Sequence, residues 1–274
     1  MPAISTNTAA NSAVRYLNIN SAQETSSLSK LASGSRITSA SDDAAGLAIS
    51  TRISSDVTTL QQAATNASQA VAILQTADGG ASNISDILAR MKSLASESAS
   101  GTTTDSSRAY INSEFSQLSS QIDSIASGTR YSSQSLLDGT SVFASGVAVL
   151  VGTQSSDSIT ITLSNLKAST LGVSTLDVSS LSGATTALSA LDTAINTVSS
   201  ARASIGAQES RFNFSADSIS TQTQNLQSAN SAIKDVDIAA EQAKLSSAEV
   251  KTQAAVSAEA AANQMPQYLL KLLG

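Results

Sequence analysis

The sequence predicts a mainly α protein. It would be a long, coiled-coil-like helical bundle with a small β-hairpin region, and with N- and C-terminal helices that gain from pairing with each other. Three observations carry this reading. Leu191, Val198, Ile205, Phe212, Ile219, Leu226 and Ile233 recur at a strict spacing of seven, which keeps one stripe of a supercoiled helix against a partner. Proline occurs only as Pro2 and Pro266, so the residue that most reliably breaks helices is missing in between. From Tyr131 to Leu181 the helical periodicity changes, and residues 158–163 alternate strictly.

Residues 3–32 read as a helix of low apolar density, with Ile4, Val14, Leu17, Leu28 and Leu31 along it and Ser33-Gly34 as its stop. Asp42-Asp43 stands at the start of the next helix, where carboxylates accept orphan amide protons and oppose the macrodipole. Capping is preferred there to a paired-carboxylate catalytic reading. Ile53, Val57, Leu60, Ala64, Ala67, Val71 and Leu74 then alternate by four and three, up to an expected stop at Asp78-Gly79-Gly80. A shorter helical segment, 82–100, carries Ile84, Ile87, Leu88, Met91, Leu94 and Ala95, and a third, 105–127, carries Ile111, Phe115, Leu118, Ile122 and Ile125.

The apolar run 147–151 and the strict alternation 158–163 predict a hairpin across the turn-rich residues 152–157. The seam helix, 187–234, follows. Leu188 and Ile195 begin its second seam position, which decays to Arg202, Glu209, Ala216, Thr223 and Asn230. A stripe this narrow needs partners from the first half of the chain. After Asp235 the pattern is Ala-rich to Gln264, and the chain ends in MPQYLLKLLG, where Leu269, Leu270, Leu272 and Leu273 crowd apolar surface together. Each terminal helix alone buries too little to offset roughly 1–2 kcal/mol of backbone entropy per residue. Three regions are therefore expected. Residues 1–43 and 235–274 make a terminal-helix domain, residues 44–130 and 185–234 a helical bundle, and residues 131–184 a hairpin region.

The composition narrows the chemistry. Histidine and cysteine are both absent, which removes the commonest general base, the commonest metal ligand and every thiolate or disulfide. Net charge is −6 with no run of Lys or Arg, which argues against a nucleic-acid partner. No stretch has the length of apolar residues that a membrane span needs, and the first twenty residues lack the apolar core of a cleaved signal peptide. Ser27-Leu28-Ser29-Lys30 has the spacing of a Ser–Lys dyad but no companion motif. Asp235, Asp237 and Glu241 lack the glycine and the other ligands of a calcium loop. No enzyme activity, cofactor or metal is expected.

Several stretches together point to a family. LASGSRITSASDDAAGLAIS (31–50), RASIGAQESRFNF (202–214), ANSAIKDVDIAAEQAKL (229–245) and ANQMPQYLLKLLG (262–274) resemble the conserved ends of bacterial flagellins, and 151–178 is similar to their hairpin region. The resemblance covers nearly the whole chain and rests on the combination. It implies a subunit that polymerises into the flagellar filament for swimming, with the terminal helices as an inner tube and the bundle with its hairpin around them. The large variable outer domains of many flagellins look absent, because 179–186 leads almost directly into the seam helix.

The resemblance further implies unfolded export through the flagellar secretion apparatus, an export chaperone on the end that carries Leu269, Leu270, Leu272 and Leu273, and a secreted, extracellular location. Hook-associated and filament-cap proteins are the implied neighbours. A hook–filament junction protein is the alternative reading. Leu88, Arg90, Leu94 and Glu114 match flagellins that engage Toll-like receptor 5, while Ser93 and Ser96 depart from that pattern. These four residues are an expected receptor or inter-subunit face.

Overall fold

The computed structural model describes residues 6–273, without the side chains of Pro266 and of residues 268–273. In order, the elements are α1 (Thr8–Ser33), α2 (Ala44–Ser98), α3 (Asp105–Gly128), β1 (Arg130–Tyr131), β2 (Gln134–Ser135), α4 (Val142–Ser145), β3 (Val147–Leu150), β4 (Ser158–Ile161), α5 (Leu181–Lys234) and α6 (Ile238–Leu273). The chain divides into a terminal unit, Met1–Ser55 with Asn225–Gly274, and a central unit, Asp56–Gln224. The cuts fall inside α2 and α5, roughly three turns from the 43/44 and 234/235 boundaries read from the sequence. Burial explains the offset. Large buried side chains on α2 begin at Leu60, and on α5 they end at Ile219.

In the central unit, α2, α3 and α5 share one core in which Leu74, Ile84, Leu88, Met91, Phe115, Ile122 and Phe212 are all buried. On α5, Leu191, Val198, Ile205, Phe212 and Ile219 are buried, whereas Leu226 and Ile233 are half-buried and belong to the terminal unit. The polar half of the stripe is only partly satisfied. Arg202 donates Nε and Nη2 to the two oxygens of Asp78 at 2.8 and 3.2 Å, whereas Glu209 Oε1 and Asn230 Oδ1 are buried without a hydrogen-bond partner. Burial, with Asp78 nearby, pushes the Glu209 carboxyl above its usual range.

The helix stop expected at Asp78-Gly79-Gly80 does not exist, because α2 runs through it. A Cβ on Gly80 would lie 2.4 Å from Thr129 Oγ1 and 2.9 Å from Leu137 Cδ1, while one on Gly79 would meet nothing. Gly80 is thus a close-approach glycine that lets the chain after α3 lie against α2. The end of α2 is tied down by Arg108, buried to 7% exposure. It donates to the carbonyls of Ser98 and Ser100 at 2.8 and 2.9 Å and to Asp105 at 3.0 Å, using acceptors that a helix C-terminus leaves unsatisfied.

Strands β3 and β4 pair antiparallel, with Val147 opposite Ile161 and Leu150 opposite Ser158. The apolar pattern extends further, to Val151 and Leu163, but the ladder does not. At Thr162 the side chain of Gln208 takes the place of a strand, accepting from the backbone N–H at 2.9 Å and donating to the carbonyl at 3.0 Å. Two features went unseen in the sequence, the short helix α4 and the hairpin β1–β2. That hairpin turns through Ser132 and Ser133 at φ 47° and 67°, a geometry usually supplied by Asn-Gly. Two α3 side chains hold the following loop, Asp123 accepting from Ala168 N–H at 2.9 Å and Asn112 from Val178 N–H at 3.0 Å.

Replacing each glycine by alanine separates the two roles. Gly79→Ala should stabilise by up to about 1 kcal/mol through helix propensity, and Gly80→Ala should destabilise by about 1–3 kcal/mol through overpacking, read by urea denaturation. Phe212→Ala should cost about 3–5 kcal/mol in the same assay, since the ring has no exposed surface.

Candidate functional site: the paired terminal helices

Among the described residues no cluster of three or more Asp or Glu could hold a metal ion, and the terminal unit presents an unusual surface. Helix α1 is capped by Asn7, which accepts from Ala10 N–H, and ends at Gly34 with φ 67°. Asp43 caps α2 by accepting from Gly46 N–H at 2.8 Å. Asp42 turns back instead, accepting from Thr38 N–H, Thr38 Oγ1 and Ser39 N–H. Those three hydrogen bonds hold its carboxyl at about 2. The two connectors meet through an isolated antiparallel bridge, Ser35 opposite Asp235. Arg36 N–H donates to Lys234 O at 2.6 Å and Val236 N–H to Gly34 O at 3.1 Å. Asp237 then caps α6 by accepting from Ala240 N–H at 3.0 Å.

Beyond the connectors, α1 and α6 pack on each other. Burial alternates by three and four along both. On α1 the less exposed positions include Ala10, Ala13, Leu17, Asn20, Glu24 and Ser27, and on α6 they are Glu241, Leu245, Ala248, Thr252, Ala255, Glu259 and Ala262. This is an antiparallel heptad seam filled almost wholly with small or polar residues. Large apolar side chains point the other way. Among the described residues, Tyr16, Leu28, Ile238, Val250 and Met265 are 57–69% exposed.

One charged group is deeply buried in the seam, beside the buried hydroxyl of Ser27. Glu241, 5% exposed, accepts from Ser27 Oγ at 2.8 Å and from Lys244 Nζ at 2.9 Å. The Lys244 bond, the Ser27 bond and the charge of Lys30 hold its carboxyl below the usual glutamate range. Ser27 and Lys30 belong to the dyad-like motif, and Glu241 to the calcium-like acidic run. The structure makes Ser27 and Glu241 hydrogen-bond partners, and Asp235 and Asp237 serve Ser231 and the α6 cap. The missed signal was the heptad running from Glu241 to Ala262, which places a carboxylate at a seam position.

The expected receptor face does not survive as four surface residues. Leu88 and Leu94 are core, 0% and 2% exposed, because they lie on the face of α2 that packs into the central unit. Arg90 and Glu114 remain at the surface as an ion pair, Arg90 Nε and Nη2 both donating to Glu114 Oε1 at 3.0 and 2.7 Å. Leu269, Leu270, Leu272 and Leu273 fall within α6, with side chains outside the described residues.

Residues 4–142 match the bacterial flagellin N-terminal helical region, and residues 188–273 match its C-terminal helical region. The chain belongs to the bacterial flagellin family. It is 35% identical to a flagellin of Halalkalibacterium halodurans over 98% of this chain and 99% of that one. It is 36% identical to a Listeria monocytogenes flagellin over 94% of each. A Treponema maltophilum flagellar filament 30.7 kDa core protein is 33% identical over 94% of this chain and 95% of its own. Crystalline Bacillus cereus flagellin is 29% identical and superposes with a TM-score of 0.52 over 61% of this chain and 94% of that one. A Vibrio parahaemolyticus structure assigned to a flagellar hook-associated protein shares the fold alone, at 15% identity and a TM-score of 0.59.

In this flagellin-family chain a lowered folded-state pKa means that Glu241 stabilises the helix pair above the ordinary glutamate range. That contribution is lost as pH falls through the folded value. Limited proteolysis from pH 6 to pH 3 should therefore release α1 and α6 at the acidic end. The Glu241→Gln chain should show a flatter pH dependence of trimming.

Proposed function

We propose that this chain is the structural subunit of a bacterial flagellar filament and that it polymerises with copies of itself through the terminal unit. The observation that carries this reading is the paired helices α1 and α6, whose larger apolar side chains face outward. A surface of that kind is what a buried assembly interface looks like before its partner arrives. In the filament these helices form an inner tube. Charge is partitioned to suit. The terminal unit holds eight basic and eight acidic residues, and the central unit seven and thirteen, so the entire net charge of −6 lies on the central unit. The associating unit carries no net repulsion.

Family membership supports the finer parts of the reading. The subunit is exported through the flagellar apparatus and works outside the cell, between hook-associated proteins at one end and the filament cap at the other. A chaperone covers Leu269, Leu270, Leu272 and Leu273 before export. Any contact with Toll-like receptor 5 on this face would have to use Arg90 and Glu114 without Leu88 or Leu94. An exposed pair of this kind is worth at most about 1 kcal/mol.

Seeded growth is the test. Purified full-length chain added to sonicated filament fragments should elongate them under the electron microscope. The concentration needed should fall several-fold between 10 and 150 mM salt, as the screening length drops from roughly 30 to 8 Å and repulsion between central units fades. Binding that caps the seeds and stops growth would replace the subunit reading with that of a hook–filament junction protein.

A further inference from the structure

A seam of small residues holds two helices together without saying where along each other they lie. In the α1–α6 seam a slip of one heptad sets Ala13 on Ala248 or Ala262 instead of Ala255, with little change in packing there, and the part-buried bond from Thr252 Oγ1 to Glu24 is long, at 3.4 Å. The connector bridge offers limited discrimination along α6, because the backbone pairs and the side chains of Ser35 and Arg36 all use carbonyl or amide groups that every residue carries. Glu241 differs. It is a charged group buried at the connector end, and its carboxylate is satisfied by Ser27 of the other helix and Lys244 of its own. Slipped one way, it passes the end of α1 at Ser33. Slipped the other way, it faces Asn20, away from Ser27 and from the charge of Lys30. Slipped either way, the carboxylate loses the Ser27 hydroxyl and keeps only Lys244 of its own helix, a loss that a shifted alanine does not suffer. Buried polar groups in helix pairs are best attested in this register-selecting role.

We propose that Glu241 is a positioning residue: by accepting the Ser27 hydroxyl, it selects the register in which α6 lies along α1. Asn7 Nδ2 donating to Ala262 O at 2.8 Å marks the same register at the far end, but that contact is only partly buried. The consequence for assembly rests on the filament reading, because copies must share one register to present the same outer surface to a neighbour. The register itself does not depend on that reading.

The chain contains no cysteine, so disulfide trapping reports register without background. Ala13 lies two heptads before Ser27, and Ala255 two heptads after Glu241. In an antiparallel pair Ala13 therefore faces Ala255, and both line one groove. The native reporter is Ala13→Cys with Ala255→Cys. The slipped reporters are Ala13→Cys with Ala248→Cys, and Ala13→Cys with Ala262→Cys. Each is oxidised in the full-length chain, in both soluble and sedimented fractions.

With Glu241 present, the native pair should dominate. In Glu241→Ala the ratio of native to slipped cross-links should fall by about tenfold or more. Glu241→Gln, which can still accept from Ser27, should largely restore it. An unchanged ratio in Glu241→Ala would overturn the proposal. So would equal loss of all cross-links in that variant, which would make Glu241 a general stabiliser, and so would failure of the native pair to form in either fraction with Glu241 in place. Native cross-links without seeded growth would leave the register proposal standing and count against the filament reading alone.

Discussion

Because α1 and α6 come from opposite ends of the sequence, the terminal unit exists only when the chain has returned on itself. The bridge between Ser35 and Asp235 marks where it does so. Loop-closure entropy grows only logarithmically with the length enclosed, so the roughly two hundred residues in between are not the obstacle. The difficulty is that two helices with small-residue faces bury little. Tyr16, Leu28, Ile238, Val250 and Met265 face away from the seam and add nothing to it.

The central unit shows how a chain with few aromatic residues fixes its irregular parts. It uses polar side chains as substitutes for backbone. Gln208 completes the edge of β4, Asn112 and Asp123 accept from loop amides, and Arg108 closes the end of α2. Each is a donor or acceptor held on a helix, and a bond of this kind contributes about 0.5–1.5 kcal/mol net. The more important effect is specificity, because a loop pinned at named amides has one conformation to occupy.

Electrostatics separates the two units as clearly as packing does. The terminal unit is neutral overall and turns its one deeply buried carboxylate, Glu241, inward to a hydroxyl and a lysine. The central unit carries the acidic excess. Its internal ion pairs, Arg202 with Asp78 and Lys92 with Asp192, tie α5 to α2. Association and solubility are thus assigned to different parts of one chain, which suits a subunit that must stay dissolved until it meets a growing end.

Periodicity and punctuation are properties of local sequence, and they determined the helical class, the hairpin between residues 147 and 161, the capping role of Asp43 and the buried positions Leu191, Val198, Ile205, Phe212 and Ile219 on α5. The family was likewise legible, in motifs spread from residue 31 to residue 274. Only the tertiary structure decided what depends on neighbours distant in sequence. Gly79-Gly80 looks like a stop because glycine ends helices, yet α2 continues, since Thr129 and Leu137 occupy the space that a Cβ at position 80 would need. Leu88 and Leu94 look like part of a surface motif until α3 and α5 cover them. Ser27 and Glu241, 214 residues apart, resemble two unrelated fragments of chemistry until the ends of the chain meet and make them partners.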